Sequence, residues 1–359
     1  MMPNISRRSW LAGIPLAAQA ARAPLPAVKL PHKVRIGLIG VEGHVGEITN
    51  HLKEAPDVEF VAAADLDPKA MARFARGPLA GIHQYTDYRQ MLDKEKLEMV
   101  AVGGQNGARA GILLELIDRK LHIVSEKPLS IDRAGLAKIR AGVERQRIRL
   151  TMLLPMRFLD TYRALKHVVD SGAIGEVAQI AGQKSYKLGE REEWMRHRAS
   201  FGGTIPYIAV HMVDLMRFTS GREMLEAVSF QSRIGHAEMG DMENTTATIF
   251  RLDNSGTAAL HMDYLRPETA PTHGDDRLRL AGTEGVVEYQ ESTGVTLMTG
   301  KEKPRVLTDL PPGGSLFLDF LDSVYNGKPA GLSIADIWRV NEIVLGARES
   351  AERHSIVKL

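Results

Sequence analysis

The sequence contains no cysteine, few aromatic residues and no long apolar run. The absence of cysteine excludes disulfide bonds, thiolate nucleophiles, iron–sulfur clusters and cysteine-based zinc sites. No apolar stretch nears the ~18 residues of a membrane-spanning helix, so we expect no membrane insertion of the mature protein. Aromatic residues make up 6% of the 359 residues, but 44% are hydrophobic, which is typical of a globular protein.

The chain also lacks an excess of either charge, with 46 Lys and Arg against 44 Asp and Glu and a net charge of +2. Without a long basic run there is no electrostatic footprint for nucleic acid, and we expect no nucleic-acid partner. The length is too great for one ordinary core, since cores stop growing near roughly 250 residues, and it predicts two domains.

Residues 1–32 are predicted to be an export signal followed by a linker. Arg7 and Arg8 precede a short apolar stretch, and Ala18-Gln-Ala20 is a small-x-small cleavage site. The pattern resembles the twin-arginine type of signal, which exports folded proteins. We therefore expect cleavage after Ala20 and a periplasmic or otherwise exported protein. The alternative is a cytoplasmic tail that contains an arginine pair by chance.

Residues 33–155 alternate predicted strands and helices, the pattern of a doubly wound parallel sheet in an α/β protein. The first strand is followed by a glycine loop, G-x-x-G-x-x-G, and then by a helix. Glycines let the backbone approach a pyrophosphate, which the helix N-terminus stabilises. Glu42 stands where a dinucleotide motif usually has its second glycine, so an ordinary turn is the alternative. The predicted cofactor-binding residues of this loop are Gly40, Gly43, His44, Val45 and Gly46.

Further candidates follow the later strands, because ligands bind beyond the carboxyl ends of such sheets. Asp65 ends the second strand, where a carboxylate can accept hydrogen bonds from ribose hydroxyls and would repel a 2′-phosphate. It therefore predicts NAD, with NADP possible; Asp67 is the nearer alternative, and a simple turn is another. The other predicted cofactor-binding residues at this edge are Gly103, Asn106, Glu126, Lys127 and Pro128.

The tripeptide Glu126-Lys127-Pro128, taken with the glycine loop, Asp65 and a later His211, resembles the Gfo/Idh/MocA family of oxidoreductases. The resemblance runs from about Val34 to Leu359. It implies an NAD(P)-dependent enzyme with a Rossmann domain, in which the lysine contacts substrate near the nicotinamide. It also implies that a helix of the second domain supplies the histidine.

Two positions depart from the family pattern. The family has an aspartate four residues before the histidine, and this sequence has Tyr207 there. The family loop after the fourth strand has a histidine three residues after its asparagine, whereas Asn106 is followed at that spacing by Arg109. The resemblance implies that the family aspartate helps to bind substrate or to orient the histidine, and the change to Tyr207 implies a different proton relay.

Residues 156–359 are predicted to form an α+β domain. Strand-like runs separated by turns indicate one open, mostly antiparallel sheet. The resemblance implies that this sheet binds substrate and forms a homo-oligomer interface. The C-terminal helix, which begins at a capping-box-like Ser333-x-x-Asp336, could pack back on the first domain.

Tyr207, His211 and Asp214 share one face of a predicted helix, because they are four and three residues apart. We expect His211 to take a hydroxyl proton while Asp214 fixes its tautomer, and Tyr207 could donate a hydrogen bond. Together with Lys127 these are the predicted catalytic residues. The alternative is a histidine satisfied in the interdomain core, with Asp214 as a capping or surface acid.

Predicted substrate-binding residues come from two further places. Tyr186 and Trp194 lie in a segment predicted to be irregular up to Ser200, and long loops are often binding lids, in which such rings suit stacking on sugar faces. The alternative is a packing loop or a subunit contact. Arg157 follows the domain junction, where a structural ion pair is the alternative. Tyr207 is assigned to substrate as well.

No metal site is predicted. Glu193 with His197, or His261 with Asp263, would supply two ligands each, and neither pair has a third placed near it in the sequence.

These assignments predict an NAD(P)-dependent oxidoreductase that acts on a sugar, cyclitol or related polyol. Lys127 would stabilise the alkoxide and His211 would receive the proton. A second reading is a glycosidase or lyase that oxidises a sugar transiently, eliminates a leaving group and retains its cofactor. A third is a non-catalytic dinucleotide-binding protein, favoured by the altered glycine loop and by Tyr207.

Overall fold

The computed structural model describes residues 25–40, 43–67, 71–72 and 79–359. The predicted export signal with its cleavage site, the loop residues Val41 and Glu42, and most of a helix expected over 68–76 lie outside the described residues. The predicted linker is described from residue 25 onward, and that part is packed rather than free. Val28 and Leu30 are buried, and the Val28 N–H donates to the Glu54 carbonyl.

A six-stranded parallel sheet forms the first domain. Its strands follow the order β3-β2-β1-β4-β5-β6, the doubly wound order in which the chain reverses direction between β1 and β4. The strands are β1 (Val34–Ile39), β2 (Val58–Ala64), β3 (His83–Tyr85), β4 (Met99–Val102), β5 (His122–Ser125) and β6 (Leu150–Met152). The central strands are buried along nearly their whole length, as expected of strands covered on both faces.

Helices connect these strands, and the described ones are α1 (Val45–Thr49), α2 (Tyr88–Lys94), α3 (Asn106–Asp118) and α4 (Arg133–Gln146). Their ends follow local chemistry. Asp87 and Asp132 cap α2 and α4, each accepting a backbone N–H through its carboxylate, and α4 ends at Arg147 in the left-handed conformation.

The second domain is built on a nine-stranded mixed sheet of order β14-β13-β12-β11-β7-β10-β9-β8-β15. Only the β7–β10 pair is parallel among its described strand pairs. The strands are β7 (Val177–Tyr186), β8 (Met224–Ser232), β9 (Thr245–Leu252), β10 (Thr257–Asp263), β11 (Gly274–Gly282), β12 (Gly285–Gln290), β13 (Gly294–Thr299), β14 (Arg305–Val306) and β15 (Val357–Lys358). Strand β9 alternates exposed and buried residues, so one face of the sheet meets the core and the other is open.

Helices cover the inner face of this sheet and return the chain to the first domain. They are α5 (Asp160–Asp170), α6 (Arg198–Phe201), α7 (Val210–Ser220), α8 (Leu316–Asn326) and α9 (Ile334–Arg353). Helix α7 packs so closely on β7 that a Cβ at Gly182 would lie 2.6 Å from Met216. Within the described residues, no helix is long and apolar enough to cross a membrane.

The C-terminal helix α9 ties the two domains together. Ser333 caps it by accepting the Asp336 N–H at 3.0 Å, which confirms the predicted helix start. The Asn341 Oδ1 accepts the Leu129 N–H at 3.1 Å, and Arg348 donates to the Ile131 carbonyl at 2.7 Å. Leu129 and Ile131 both belong to the loop between β5 and α4, so α9 holds that loop in place.

The fold class is thus confirmed: a Rossmann sheet followed by an α+β domain with a mostly antiparallel sheet. One local prediction is wrong. The segment from Tyr186 to Ser200 is not irregular throughout, since it holds a 3₁₀ turn at Glu193–Arg196 and the start of α6.

Gly40 is a position of the first domain where a side chain would be strained. Its φ is +73°, and an added Cβ would lie 2.8 Å from the Gly104 backbone nitrogen. Both the strained conformation and the backbone clash predict that Gly40→Ala lowers the free energy of unfolding by about 1–3 kcal/mol. Urea denaturation measures this loss.

Gly111→Ala is the matched control. Gly111 lies on α3, where nothing stands within 4 Å of an added Cβ. Because alanine favours helix, this variant should gain up to about 1 kcal/mol. Equal stability of the two variants would contradict the close approach of the two loops.

Candidate active site

The candidate site lies at the carboxyl edge of the parallel sheet, where the loops after β1, β4 and β5 meet. Parallel strands bring these loops together, because all their carboxyl ends point the same way. The Gly40 loop touches Gly103 and Gly104 after β4. The tripeptide that follows β5 reaches the same place through Glu126.

Asp65 stands at this edge at the end of β2. Its N–H donates to the Tyr85 carbonyl at 3.1 Å, and its Oδ1 accepts the Asp67 N–H at 2.9 Å. The turn that Asp67 was expected to make is present, and it fixes Asp65 rather than replacing it. The carboxylate therefore lies where a Rossmann domain meets the ribose of its dinucleotide.

Glu126 joins the glycine loop to the loop after β5. Its Oε1 accepts the His44 N–H and bonds to His44 Nδ1 at 2.6 Å, while Oε2 accepts the Lys127 N–H at 3.0 Å. Burial alone would raise the pKa of this carboxyl, but its interactions with His44, its hydrogen bond to that residue and the nearby Lys127 lower it to about 2. A Cβ on Gly43, whose φ is +90°, would overlap this carboxylate. Gly43 is thus required by Glu126 as well as by the loop's own conformation.

Lys127 carries its ammonium into the contact between the two domains. Its Nζ donates to the Tyr207 carbonyl at 3.1 Å and lies 3.4 Å from the centroid of the Tyr207 ring. Burial is the main cause that lowers the pKa of Lys127, to about 7; Glu126 opposes this shift, and the nearby cations Arg109, Lys184 and Arg191 add to it. The Lys127–Pro128 peptide bond is cis.

His211 lies on α7 and faces the same site. It is 6% exposed, and its Nδ1 has no hydrogen-bond partner among the described residues. Its ring meets that of His44 edge-on, with the centroids 5.1 Å apart. Burial and the charge of Lys127 hold the pKa of His211 well below its usual value. The imidazole is therefore neutral at neutral pH, with a nitrogen available to a ligand.

Tyr207 precedes α7 on a π-helical turn, Ile205–Ala209, instead of on the α-helix itself. The wider turn accommodates an extra residue, and such turns occur frequently at functional sites. The Tyr207 ring packs on Phe201, with centroids 4.6 Å apart, and burial raises the pKa of Tyr207 above its usual range. The phenol therefore stays protonated and supports Lys127 through its ring and its carbonyl.

The predicted relay from Asp214 to His211 is wrong. Both carboxylate oxygens of Asp214 accept hydrogen bonds from the Arg157 guanidinium, Oδ2 at 3.0 Å and Oδ1 at a shorter distance. The ion pair is buried, with Asp214 1% and Arg157 4% exposed. Arg157 also donates to the Gly331 carbonyl at 2.9 Å. Asp214 therefore does not orient the histidine as predicted, and Arg157 forms the structural ion pair that was the alternative to substrate binding.

Asn106 and Arg109 brace the loops of the site. The Asn106 amide donates to the Phe201 carbonyl at 2.8 Å and accepts from Arg109 at 3.0 Å. Arg109 also donates to the carbonyls of Gly104 and Pro128, at 2.6 and 2.8 Å. This arginine, which appeared in the sequence only as a departure from the family pattern, connects the loop after β4 with the loop after β5.

The two aromatic residues assigned to substrate differ in their surroundings. Trp194 is 9% exposed, its Nε1 donates to Glu192 at 2.9 Å, and its ring packs on Phe201. It is a packing residue of its segment, which corrects the prediction of a sugar-stacking lid. Tyr186 ends β7 and stacks on His273, with centroids 5.3 Å apart.

Lys184 is a residue of this region that the sequence did not indicate. It is fully buried on β7, and its Nζ bonds to Asp276 Oδ2 at 2.5 Å. Asp276 is the counter-charge of Lys184, and its other oxygen, Oδ1, has no hydrogen-bond partner among the described residues. The alternating strand pattern places residue 184 on the inner face, which was the available signal. In the described part of the chain, no three His, Asp or Glu side chains are grouped to hold a metal ion.

Comparison with known proteins agrees with this geometry. A sequence model described as an oxidoreductase family with an NAD-binding Rossmann fold matches residues 34–153, and one for the GFO/IDH/MocA C-terminal domain matches residues 162–288. A solved oxidoreductase from Thermotoga maritima is 31% identical, covers 91% of this chain and 100% of its own, and superposes with a TM-score of 0.85.

Two further relatives have named activities. The myo-inositol 2-dehydrogenase of Thermotoga maritima is 23% identical over 336 residues, which are 91% of this chain and 98% of that protein. A levoglucosan dehydrogenase in complex with NADH is 18% identical, covers 90% of this chain and 98% of its own, and has a TM-score of 0.79.

The chain belongs to the Gfo/Idh/MocA family. It is an NAD(P)-dependent oxidoreductase built on a Rossmann domain that binds NAD. The site fits this cofactor: Gly40 and Gly43 take positive φ values in the loop before α1, Asp65 stands at the ribose edge, and the unpartnered Nδ1 of His211 lies opposite.

The Arg157–Asp214 pair leads to a prediction in which the free energy of unfolding changes and kcat does not. Asp214→Asn leaves the buried Arg157 guanidinium with Asp336, 3.4 Å away, as its remaining carboxylate partner, so we expect the free energy of unfolding to fall by about 3 kcal/mol. The folded fraction, assayed at low temperature, should keep kcat within a few-fold. Denaturation and steady-state kinetics measure the two effects.

Asp170→Asn is the control, since Asp170 forms an exposed i,i+4 pair with Lys166. Its loss should cost less than about 0.5 kcal/mol. If Asp214→Asn abolished kcat at unchanged stability, Asp214 would have to act on His211 after all.

Proposed function

We propose that the protein transfers a hydride between NAD and a carbinol carbon of a sugar, cyclitol or related polyol. The observation that carries the proposal is the pairing of two groups in one buried site. Lys127 brings an ammonium from the first domain, and His211 brings a neutral imidazole from the second. Relatives named for inositol and levoglucosan dehydrogenation support this class of substrate.

When bound, NAD supplies the acceptor for the hydride that leaves the carbinol carbon. The chain's own residues handle the hydroxyl group. Lys127 in its ammonium form donates a hydrogen bond to the carbinol oxygen and stabilises the charge that develops there. His211 accepts the hydroxyl proton on its free nitrogen, and the edge contact with His44 keeps its ring in place. Glu126 positions Lys127 through its backbone N–H.

We also propose that the protein forms a homo-oligomer through the open face of the second sheet. Phe230 and Ile249, on neighbouring strands of that face, are 64% and 60% exposed. Apolar side chains exposed together on a sheet favour contact with a second copy. Light scattering of the purified protein measures the molar mass of the assembly, and a value equal to that of one chain would contradict the proposed oligomer.

Export by a twin-arginine-type signal, with cleavage after Ala20, is proposed from the sequence alone. It suits an enzyme that folds around its cofactor before leaving the cytoplasm. N-terminal sequencing of the exported protein tests it.

The proposed activity predicts distinct losses for two variants. Lys127→Ala and His211→Ala should each lower kcat for polyol oxidation by at least ~100-fold, because each removes a group that acts on the reacting oxygen. The dissociation constant of NAD should stay within a few-fold of wild type. Steady-state kinetics and calorimetry measure the two quantities.

Lys301→Ala, which changes a lysine that is 84% exposed, is the matched control and should behave as wild type. Full activity in either site variant would sink the assignment. Cleavage of an aryl glycoside with catalytic NAD and no net NADH would replace it by the oxidation–elimination route. NAD binding without any turnover would favour the non-catalytic reading.

The pKa values of the site predict the pH dependence of oxidation. Burial lowers the pKa of Lys127 to about 7, so its ammonium is present below that pH and lost above it. His211, with its pKa well below the usual value, is already neutral there. We expect kcat/KM to be flat below pH 7 and to fall about tenfold per pH unit above it. In Lys127→Arg the residual kcat/KM should lose this fall, since arginine stays charged. If kcat/KM instead rose as the pH increased through 7, Lys127 would be the group that accepts the proton.

A further inference from the structure

Arg191 is a cation of the candidate site that the proposed mechanism does not use. It lies in the segment between β7 and the 3₁₀ turn, and its guanidinium carbon is 3.9 Å from the centroid of the Tyr264 ring. Its Nε is buried without a hydrogen-bond partner among the described residues. The charged end of this side chain is therefore turned into the protein.

Two glutamates beside Arg191 in the sequence could have formed ion pairs with it in solvent. Glu190 and Glu192 flank Arg191 and are exposed, and Glu192 instead accepts a hydrogen bond from Trp194. An exposed arginine commonly pairs with such neighbours in solvent at little cost. Arg191 instead places its guanidinium on a buried aromatic ring, a position with a desolvation cost that an anionic ligand would offset.

Four other cations of the second domain have carboxylate partners, whereas Lys187 and Arg196 donate to backbone carbonyls. The ion pairs are Lys184 with Asp276 at 2.5 Å, Arg157 with Asp214, Arg198 with Glu243 at 2.8 Å and Arg266 with Asp275 at 3.7 Å. Within the described residues, no carboxylate stands within ion-pair distance of Arg191. Positive charge is thus left over at the place where Arg191 enters the site.

Arg191 is also linked to the reacting end of the site through aromatic rings. The Tyr207 ring lies against the Lys127 ammonium at 3.4 Å and against Phe201 at 4.6 Å, and Phe201 is 6.0 Å from the Arg191 guanidinium. Arg191 is among the cations that lower the pKa of Lys127, so the two charges act on each other.

We propose that Arg191 binds a carboxylate of the substrate, so that the preferred substrates are sugar acids and related polyhydroxy acids. This inference rests on the proposed function, since the carbinol to be oxidised lies at Lys127 and His211. A guanidinium matches a carboxylate in charge and in its paired oxygens. A carboxylate is favoured over a phosphate dianion because one leftover charge faces the ligand. Bound there, it would also counter the repulsion between Arg191 and Lys127.

The test compares acidic and neutral substrates on the full-length mature enzyme. The panel contains D-glucuronate, D-galacturonate, D-gluconate, D-glucose, myo-inositol and glucose 6-phosphate, and NADH formation gives kcat/KM for each. We expect at least one carboxylate substrate to exceed the neutral compounds by tenfold or more. Calorimetry with NADH-loaded protein gives the dissociation constants of D-glucuronate and D-glucose independently of turnover.

Arg191→Gln should lower kcat/KM for the acid by roughly 10- to 100-fold, leave the neutral compounds within twofold and leave NAD affinity unchanged. Arg191→Lys should recover part of the loss, because it restores charge without the paired donors. Arg305→Gln, at an exposed residue of the edge strand β14, is the control and should change nothing.

Each contrary result has its own meaning. If the enzyme preferred neutral substrates and Arg191→Gln did not change the ratio of kcat/KM between acidic and neutral compounds, the inference would be overturned. The proposed function would remain intact. Preference for glucose 6-phosphate would replace carboxylate by phosphate. Weaker NAD binding in Arg191→Gln would assign the arginine to the cofactor. Absence of NADH formation with all six compounds, while D-glucuronate still binds through Arg191, would overturn the dehydrogenase and keep the anion site.

Discussion

The site depends on the burial of one lysine ammonium where the two domains meet. Lys127 belongs to the first domain by sequence, but its Nζ donates to the carbonyl of Tyr207 in the second. Burying an ammonium is costly, and here the cost appears as a pKa near 7 instead of near 10.5. The surrounding structure keeps that cost within bounds: Glu126 supplies negative charge close by, and the Tyr207 ring supplies a favourable face. Because both domains contribute, a change in either one alters the charge of the reactive group.

A second principle is that three carboxylates in and around the site each have a basic partner. Glu126 bonds to His44, Asp214 to Arg157 and Asp276 to Lys184. These pairs offset the charge of the acids, whereas Arg191 Nε and His211 Nδ1 are buried without a hydrogen-bond partner among the described residues. The resulting site is positively charged, and such a field favours both the developing alkoxide and an anionic substrate.

Much of this could be predicted from the sequence. Alternating strands and helices gave the parallel sheet, and turn-separated β runs gave the second one, because both patterns are local. Lys127 and His211 stood in recognisable motifs. The Arg157–Asp214 pair could not be derived, since its members are 57 residues apart and helical spacing linked Asp214 to the wrong partner. The direction taken by Arg191 was equally hidden: nothing in a run of Arg and Glu tells whether a guanidinium points to its neighbours or to a distant tyrosine.

The π-helical turn at Ile205–Ala209 separates two tasks that a regular helix would couple. In an unbroken α-helix, the azimuth of Tyr207 would be fixed by that of His211, and moving one would move the other. The inserted residue changes this relation. The direction of the Tyr207 ring, which lies against the Lys127 ammonium, is therefore not set by the direction of the His211 imidazole. Removal of a single residue from this turn would regularise the helix and rotate the tyrosine away by about 100°. During evolution, one side chain beside Lys127 could thus be exchanged for another by an insertion or deletion in this turn, with the fold of both domains unchanged.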